Sequence, residues 1–226
     1  MKALNFEEWA VNESRSRWDG LASKLVKETF RQWITDWKDG KSKSNYSISV
    51  EEGLEFDLES TIYFGKVKGF EVLGSTGADG RDEDDDGEDQ VPYILIDFAV
   101  NKEWLPGYWQ DIYMHLADVM RHEMEHITQD GKYVGNYKAG KPDEDDSFTR
   151  EMIKSGMLPQ TMYWLLPKEV DANLHGLRFE AKKRKESMKD SIDRYLSTQG
   201  LSQEEKEEIL AVWRKRAKEI GGIQEF

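Results

Sequence analysis

The chain has 226 residues, 38% hydrophobic and 12% aromatic, enough for a sizeable core in one domain rather than a disordered chain. A formal net charge of −13 argues against a general binder of nucleic acid or of anionic membrane. Cysteine is absent, so disulfides and thiolate zinc sites are excluded, and any zinc has to be held by His, Asp or Glu. The N-terminal residues Met1 to Glu8 lack a basic stretch followed by an apolar one, and no run approaches about 18 apolar residues, so a soluble cytoplasmic protein is expected.

In chain order, residues 1–40 form an N-terminal helical segment. Ala22, Val26, Phe30, Trp33 and Trp37 recur at spacings of three and four, which predicts an amphipathic helix ending near Asp39-Gly40. Its two tryptophans are expected to pack in the core. Over 46–101 the period changes to two. Strands are expected at 47–50, 54–58, 61–64, 70–73 and 93–100, in a small mixed or antiparallel sheet. The last strand, nearly all apolar, is expected to be the most buried. An edge of this sheet could pair with an extended peptide.

The acidic stretch 79–90 holds Asp82, Asp84, Asp86 and Gly87, the first half of a calcium-loop pattern. Its twelfth position is Tyr93 and helical flanks are missing, so it reads as a solvated hairpin loop.

Residues 106–181 carry the chemistry. Ile112, Leu116, Val119, Met120 and Ile127 fall within about 100° on a helical projection and give that helix a core side. Beside this stripe, His122 and His126 of H-E-x-x-H lie about 40° apart, one turn from each other, so their imidazoles can converge on one ion. Two imidazoles with an open position suit Zn²⁺, which lowers the pKa of a bound water toward about 7. Glu123 lies about 60° from His126, in reach of that water as general base.

Residues 129–156, rich in Gly, Lys and Asp, read as a long loop, either a lid or substrate-shaping loop or a mobile segment without function, with Asp143 to Asp146 solvated. A further helix opens at Pro167 and offers Glu169 or Asp171 as third ligand. Projection favours Glu169. It shares a face with Ala172 and Gly176, small residues that let two helices approach, whereas Asp171 points roughly 160° away. Asn173 and Asp118 are candidates to orient a ligand imidazole, and His115 and His175 read as ordinary core or surface histidines.

Residues 182–226 read as C-terminal helices. The basic runs Lys182 to Lys185 and Arg214 to Arg216 are expected to be solvated and offset by nearby acids, and Ser202 to Glu205 is a capping box.

H-E-x-x-H with a Glu from a later helix resembles the ligand pattern of the gluzincin zinc metallopeptidases. The pair H-E-M-E-H-I-T-Q and P-K-E-V-D-A is similar to small peptidase-type proteins of tailed phages. The resemblance covers about residues 115 to 181. It implies zinc on His122, His126 and Glu169, Glu123 as base, a protein or peptide substrate, and, for a phage protein, the host cytoplasm. It also implies an electrophilic partner for the oxyanion, for which Tyr163, Tyr133 and Tyr137 are candidates. A metzincin is excluded because no G-x-x-H follows His126, and a deformylase because there is no Cys. The expectation is therefore one α+β, zincin-like domain over 1–226 acting as a zinc-dependent metallopeptidase. The alternative is a catalytically silent, zinc-stabilised binding or virion-associated structural protein. Retention of Glu123 favours the enzyme.

Overall fold

A computed structural model describes residues 6–50, 56–68, 70–73, 93–129, 144–220 and 226. The first helix, α1 (Phe6–Lys38), stops where expected. Gly40 takes φ +77°, and the Gly40 and Lys41 amides donate to the Trp37 and Asp36 carbonyls, capping carbonyls the helix leaves open. Strands β1 (Lys43–Val50), β2 (Phe56–Gly65), β3 (Phe70–Leu73) and β4 (Tyr93–Asn101) form one mixed sheet in the order β1-β2-β4-β3. β1 pairs antiparallel with β2, β2 parallel with β4, and β3 antiparallel with β4. The two strands expected at 54–58 and 61–64 are one, because Glu59 and Ser60 continue the ladder opposite Ser47 and Tyr46. The acidic stretch 79–90 lies outside the described residues.

The sheet buries one face. Phe56, Leu58, Ile62 and Phe64 of β2 and Ile94, Ile96, Phe98 and Val100 of β4 point to α1 and to α2 (Trp109–Gln129). α1 lies over β1 and β2, and α2 lies over β4. Trp33 packs edge-on against Phe98 at 5.3 Å, and Phe30 and Trp37 pack against Trp109 at 5.3 and 5.7 Å. These aromatic contacts join the helices to the sheet, as the apolar spacing of α1 requires. β4 is less buried than its composition suggests, since Tyr93 and Leu95 on its outer face remain 38% exposed.

The segment expected to be loop contains α3 (Glu144–Lys154), whose short apolar pattern is too brief to stand out. Asp146, expected to be solvated, is buried there. A 3-10 segment (Gln160–Leu165) leads into α4 (Pro167–Arg184), then α5 (Met188–Ser197) and α6 (Gln203–Ile220). Val170, Leu174 and Leu177 of α4 join Ile192, Ile209 and Trp213 in a second core, where the Trp213 indole donates to the Trp164 carbonyl at 2.9 Å. The capping box is present: Ser202 N donates to the Glu205 carboxylate at 2.7 Å and Glu205 N donates to Ser202 Oγ at 3.3 Å. Among the described residues no helix is long and apolar enough to cross a membrane.

α2 and α4 pack closely and antiparallel, with Arg184 opposite Asp111 at one end and Glu169 opposite His126 at the other. Gly176 makes this approach possible. A Cβ there would stand 2.9 Å from the Asp118 carbonyl and 3.2 Å from His122 Cβ, so a larger residue would push the helices apart.

Candidate metal centre

α2 presents His122 and His126 one turn apart, and α4 brings Glu169 from its first turn to face both. The imidazole Nε2 atoms are 3.2 Å apart. Glu169 Oε1 lies 3.4 Å from His126 Nε2, and Oε2 lies 3.5 Å from His122 Nε2. Ligands about 2.0–2.1 Å from a tetrahedral ion stand about 3.3–3.4 Å from one another, so these separations fit one small divalent ion. Glu169 Oε2 is buried with no hydrogen-bond partner, an acceptor that such an ion would satisfy.

His122, Glu123 and His126 also bring possible ligand atoms within 4.8 Å of one another. Of the two carboxylates, Glu169 is the better ligand because it faces both imidazoles. Glu123 Oε1 stands 3.7 Å from His122 Nε2, beside the cluster, where a base for a bound water would sit.

Gln129 fixes one imidazole. Its amide nitrogen donates to the Lys168 carbonyl at 3.0 Å, which turns its oxygen toward His126 Nδ1 at 3.1 Å. The Nδ1–H therefore donates to Gln129, and the Nε2 lone pair faces the cluster.

Opposite charges in the cluster shift one another's titration. Burial alone would raise Glu169, but His122, His126 and Arg150 hold it far below the usual carboxylate range. Burial would lower His122, yet Glu169, Glu123 and Asp118 push it up to about 9. Asp118 is itself pushed up to about 7 by burial and by Glu180. Burial and the neighbouring Glu169 raise Tyr163 well above the usual phenol range, so its hydroxyl keeps its proton near neutrality and can donate. Arg150 of α3 donates to Glu169 Oε1 at 2.6 Å while its guanidinium lies 5.6 Å from the Tyr163 ring centre.

The chain matches no family model, no curated protein and no solved structure. The site therefore rests on its own geometry.

That geometry brings His122, His126 and Glu169 together with Glu123 beside them, and places the Tyr163 ring under Arg150; several neighbours differ from expectation. Asn173 donates to the Glu169 carbonyl at 2.8 Å, bracing the turn of α4 that carries the carboxylate rather than orienting an imidazole. Asp118 acts on His122 by charge rather than by a hydrogen bond. Asp171 takes both arms of Arg216, at 2.6 and 2.7 Å, and ties α4 to α6. His175 Nε2 stands 3.6 Å from Glu125 Oε1 of α2. Tyr133 and Tyr137 lie outside the described residues. Sequence reasoning missed the roles of Gln129 and Arg150. Gln129 sits three residues after His126, a helical neighbour, and that spacing could have exposed it. Arg150 offered no such cue, since its partner is in another element.

Proposed function

We propose that the protein is a zinc-dependent metallopeptidase that hydrolyses peptide bonds, with zinc held by His122, His126 and Glu169. The observation that carries this reading is the convergence of the two imidazole Nε2 atoms, 3.2 Å apart, with the Glu169 carboxylate, whose oxygens lie 3.4 and 3.5 Å from them, and the carboxylate of Glu123 beside them. Zinc there would supply a Lewis acid and lower the pKa of a bound water toward about 7. Glu123 accepts the proton as water attacks the substrate carbonyl and returns it to the leaving amine. The Tyr163 hydroxyl, kept protonated by burial and by Glu169, would donate to the developing oxyanion. Among the described strands β3 lies at the edge of the sheet beyond β4, and an edge of that kind can pair with an extended peptide.

The test combines metal content with turnover. Wild type and Glu123→Gln are expected to carry about one zinc, with Glu123→Gln losing roughly 10²–10⁴ in peptide cleavage. His122→Ala and Glu169→Ala are expected to lose the metal. Wild type that takes up no zinc would overturn the reading. Zinc binding with no cleavage of a diverse peptide library would favour a zinc-stabilised binding or virion-associated structural role.

A further inference from the structure

The two oxygens of Glu169 are not equivalent. Oε1 accepts from Arg150 Nη2 at 2.6 Å, whereas Oε2 is buried, lacks a hydrogen-bond donor and faces His122 Nε2 at 3.5 Å. We propose that Arg150 is the positioning residue that holds Glu169 as a one-oxygen ligand, offering Oε2 to the metal and withholding Oε1. The proposal rests on the metal-centre reading above and adds a residue that neither H-E-x-x-H nor the α4 motif contains.

A carboxylate can bind a metal through one oxygen or both. Chelation by both would raise the coordination number and take up the position that a water or a substrate carbonyl needs. A charge-assisted hydrogen bond to Oε1 opposes that swing, and ligand orientation by such partners is a general feature of metal sites. Arg150 is well placed to supply it. It projects from α3, an element separate from the two ligand helices, and α3 packs on the 3-10 segment that enters α4. Its guanidinium lies over the Tyr163 ring, which limits its sideways movement, and its side chain is 25% exposed. Glu169 is meanwhile braced from behind, where Asn173 holds its carbonyl. The carboxylate is thus fixed at its backbone by α4 itself and at one oxygen by α3.

Cobalt(II) is the probe, because a four-coordinate ion absorbs visible light several-fold more strongly than one with five or six ligands. Full-length wild type, Arg150→Met and Arg150→Lys would be titrated with Co²⁺, following visible absorption and affinity, with far-UV circular dichroism to check the fold. Wild type is expected to bind one equivalent with intense four-coordinate bands. In Arg150→Met those bands are expected to weaken several-fold and shift, and Arg150→Lys is expected to restore them in part. A folded Arg150→Met that matches wild type in spectrum and affinity would overturn the positioning role and leave the metal centre standing. Wild type that binds no Co²⁺ would overturn both. If Arg150→Met does not fold, Arg150→Lys decides alone: a spectrum intermediate in intensity supports the role, and one unchanged from wild type refutes it, because an ammonium cannot reproduce the guanidinium fork.

Discussion

Two polar clusters on adjacent stripes of α2 meet the same partner helix, α4, and they are built on opposite principles. His122 and His126 are four residues apart, and so are Arg121 and Glu125, one position earlier on each turn. The second pair belongs to an ion-pair clamp between helices. Arg121, fully buried, reaches Glu125 at 2.8 Å and Asp19 of α1 at 3.3 Å. Arg178 of α4 donates to both oxygens of Asp19, at 2.8 and 3.0 Å. Two guanidinium groups thus face two carboxylates and tie α1, α2 and α4 together. In the first cluster the imidazoles and Glu169 converge on a point, leaving Oε2 without a donor. The contrast sets charges that pair across three helices against a group of ligand atoms that could hold a metal ion.

Breaking the clamp is expected to have the largest effect. Arg121→Met leaves Asp19 and Glu125 short of a counter-charge and should lower stability by about 3–5 kcal/mol, as for other buried ion pairs that lose one partner. Chemical denaturation with and without zinc would measure it, and the loss should be the same in both. The metal cluster should behave in the reverse way. Zinc at about 1,000 times its dissociation constant is expected to stabilise wild type by about 4 kcal/mol, and His126→Ala should abolish that gain in a thermal melt.

Gly176 sharpens the comparison, because it sets the α2–α4 distance beside His122. Gly176→Ala improves helix propensity by about 1 kcal/mol, but its methyl meets the Asp118 carbonyl and His122 Cβ. A net destabilisation of about 1–3 kcal/mol is expected, with a larger loss in zinc affinity than in the clamp, followed by denaturation and by chelator competition.

The last test is of pH dependence, and its sign follows from His122. Its folded pKa of about 9 lies above the ordinary 6.5. In metal-free protein the His122 proton therefore stabilises the fold fully below about pH 6.5, and this contribution is lost as pH rises through 9. Zinc has to displace that proton. Its affinity is expected to rise about tenfold per pH unit from pH 7 to 9 and then level off, with proton uptake by buffer visible in calorimetry.

The same contrast explains what could be read from the chain. The imidazole pair was legible because its spacing is meaningful within one helix and its chemistry is rare. Arg121 and Glu125 have identical spacing, yet on sequence they resemble any solvated i,i+4 pair. Their burial depends on Asp19, far away in the chain. Likewise α3 was missed because an 11-residue helix with few apolar positions gives a weak period, and Arg150 was hidden with it.

By itself the sequence determined the elements whose signal is local. These are the Gly40 stop of α1, the period-two strands, the capping box at Ser202, the register that places two imidazoles on one face, and the small residues that let α4 come close. Only the tertiary structure decided the order β1-β2-β4-β3, the Asp171–Arg216 tie, the charge clamp, and the division of Glu169 between Arg150 and the orphan oxygen. The physical reason is range. Helix periods and caps are set by neighbours within a turn, whereas strand order and ion-pair partners are set by which buried surfaces exclude water together, which no short window of sequence records.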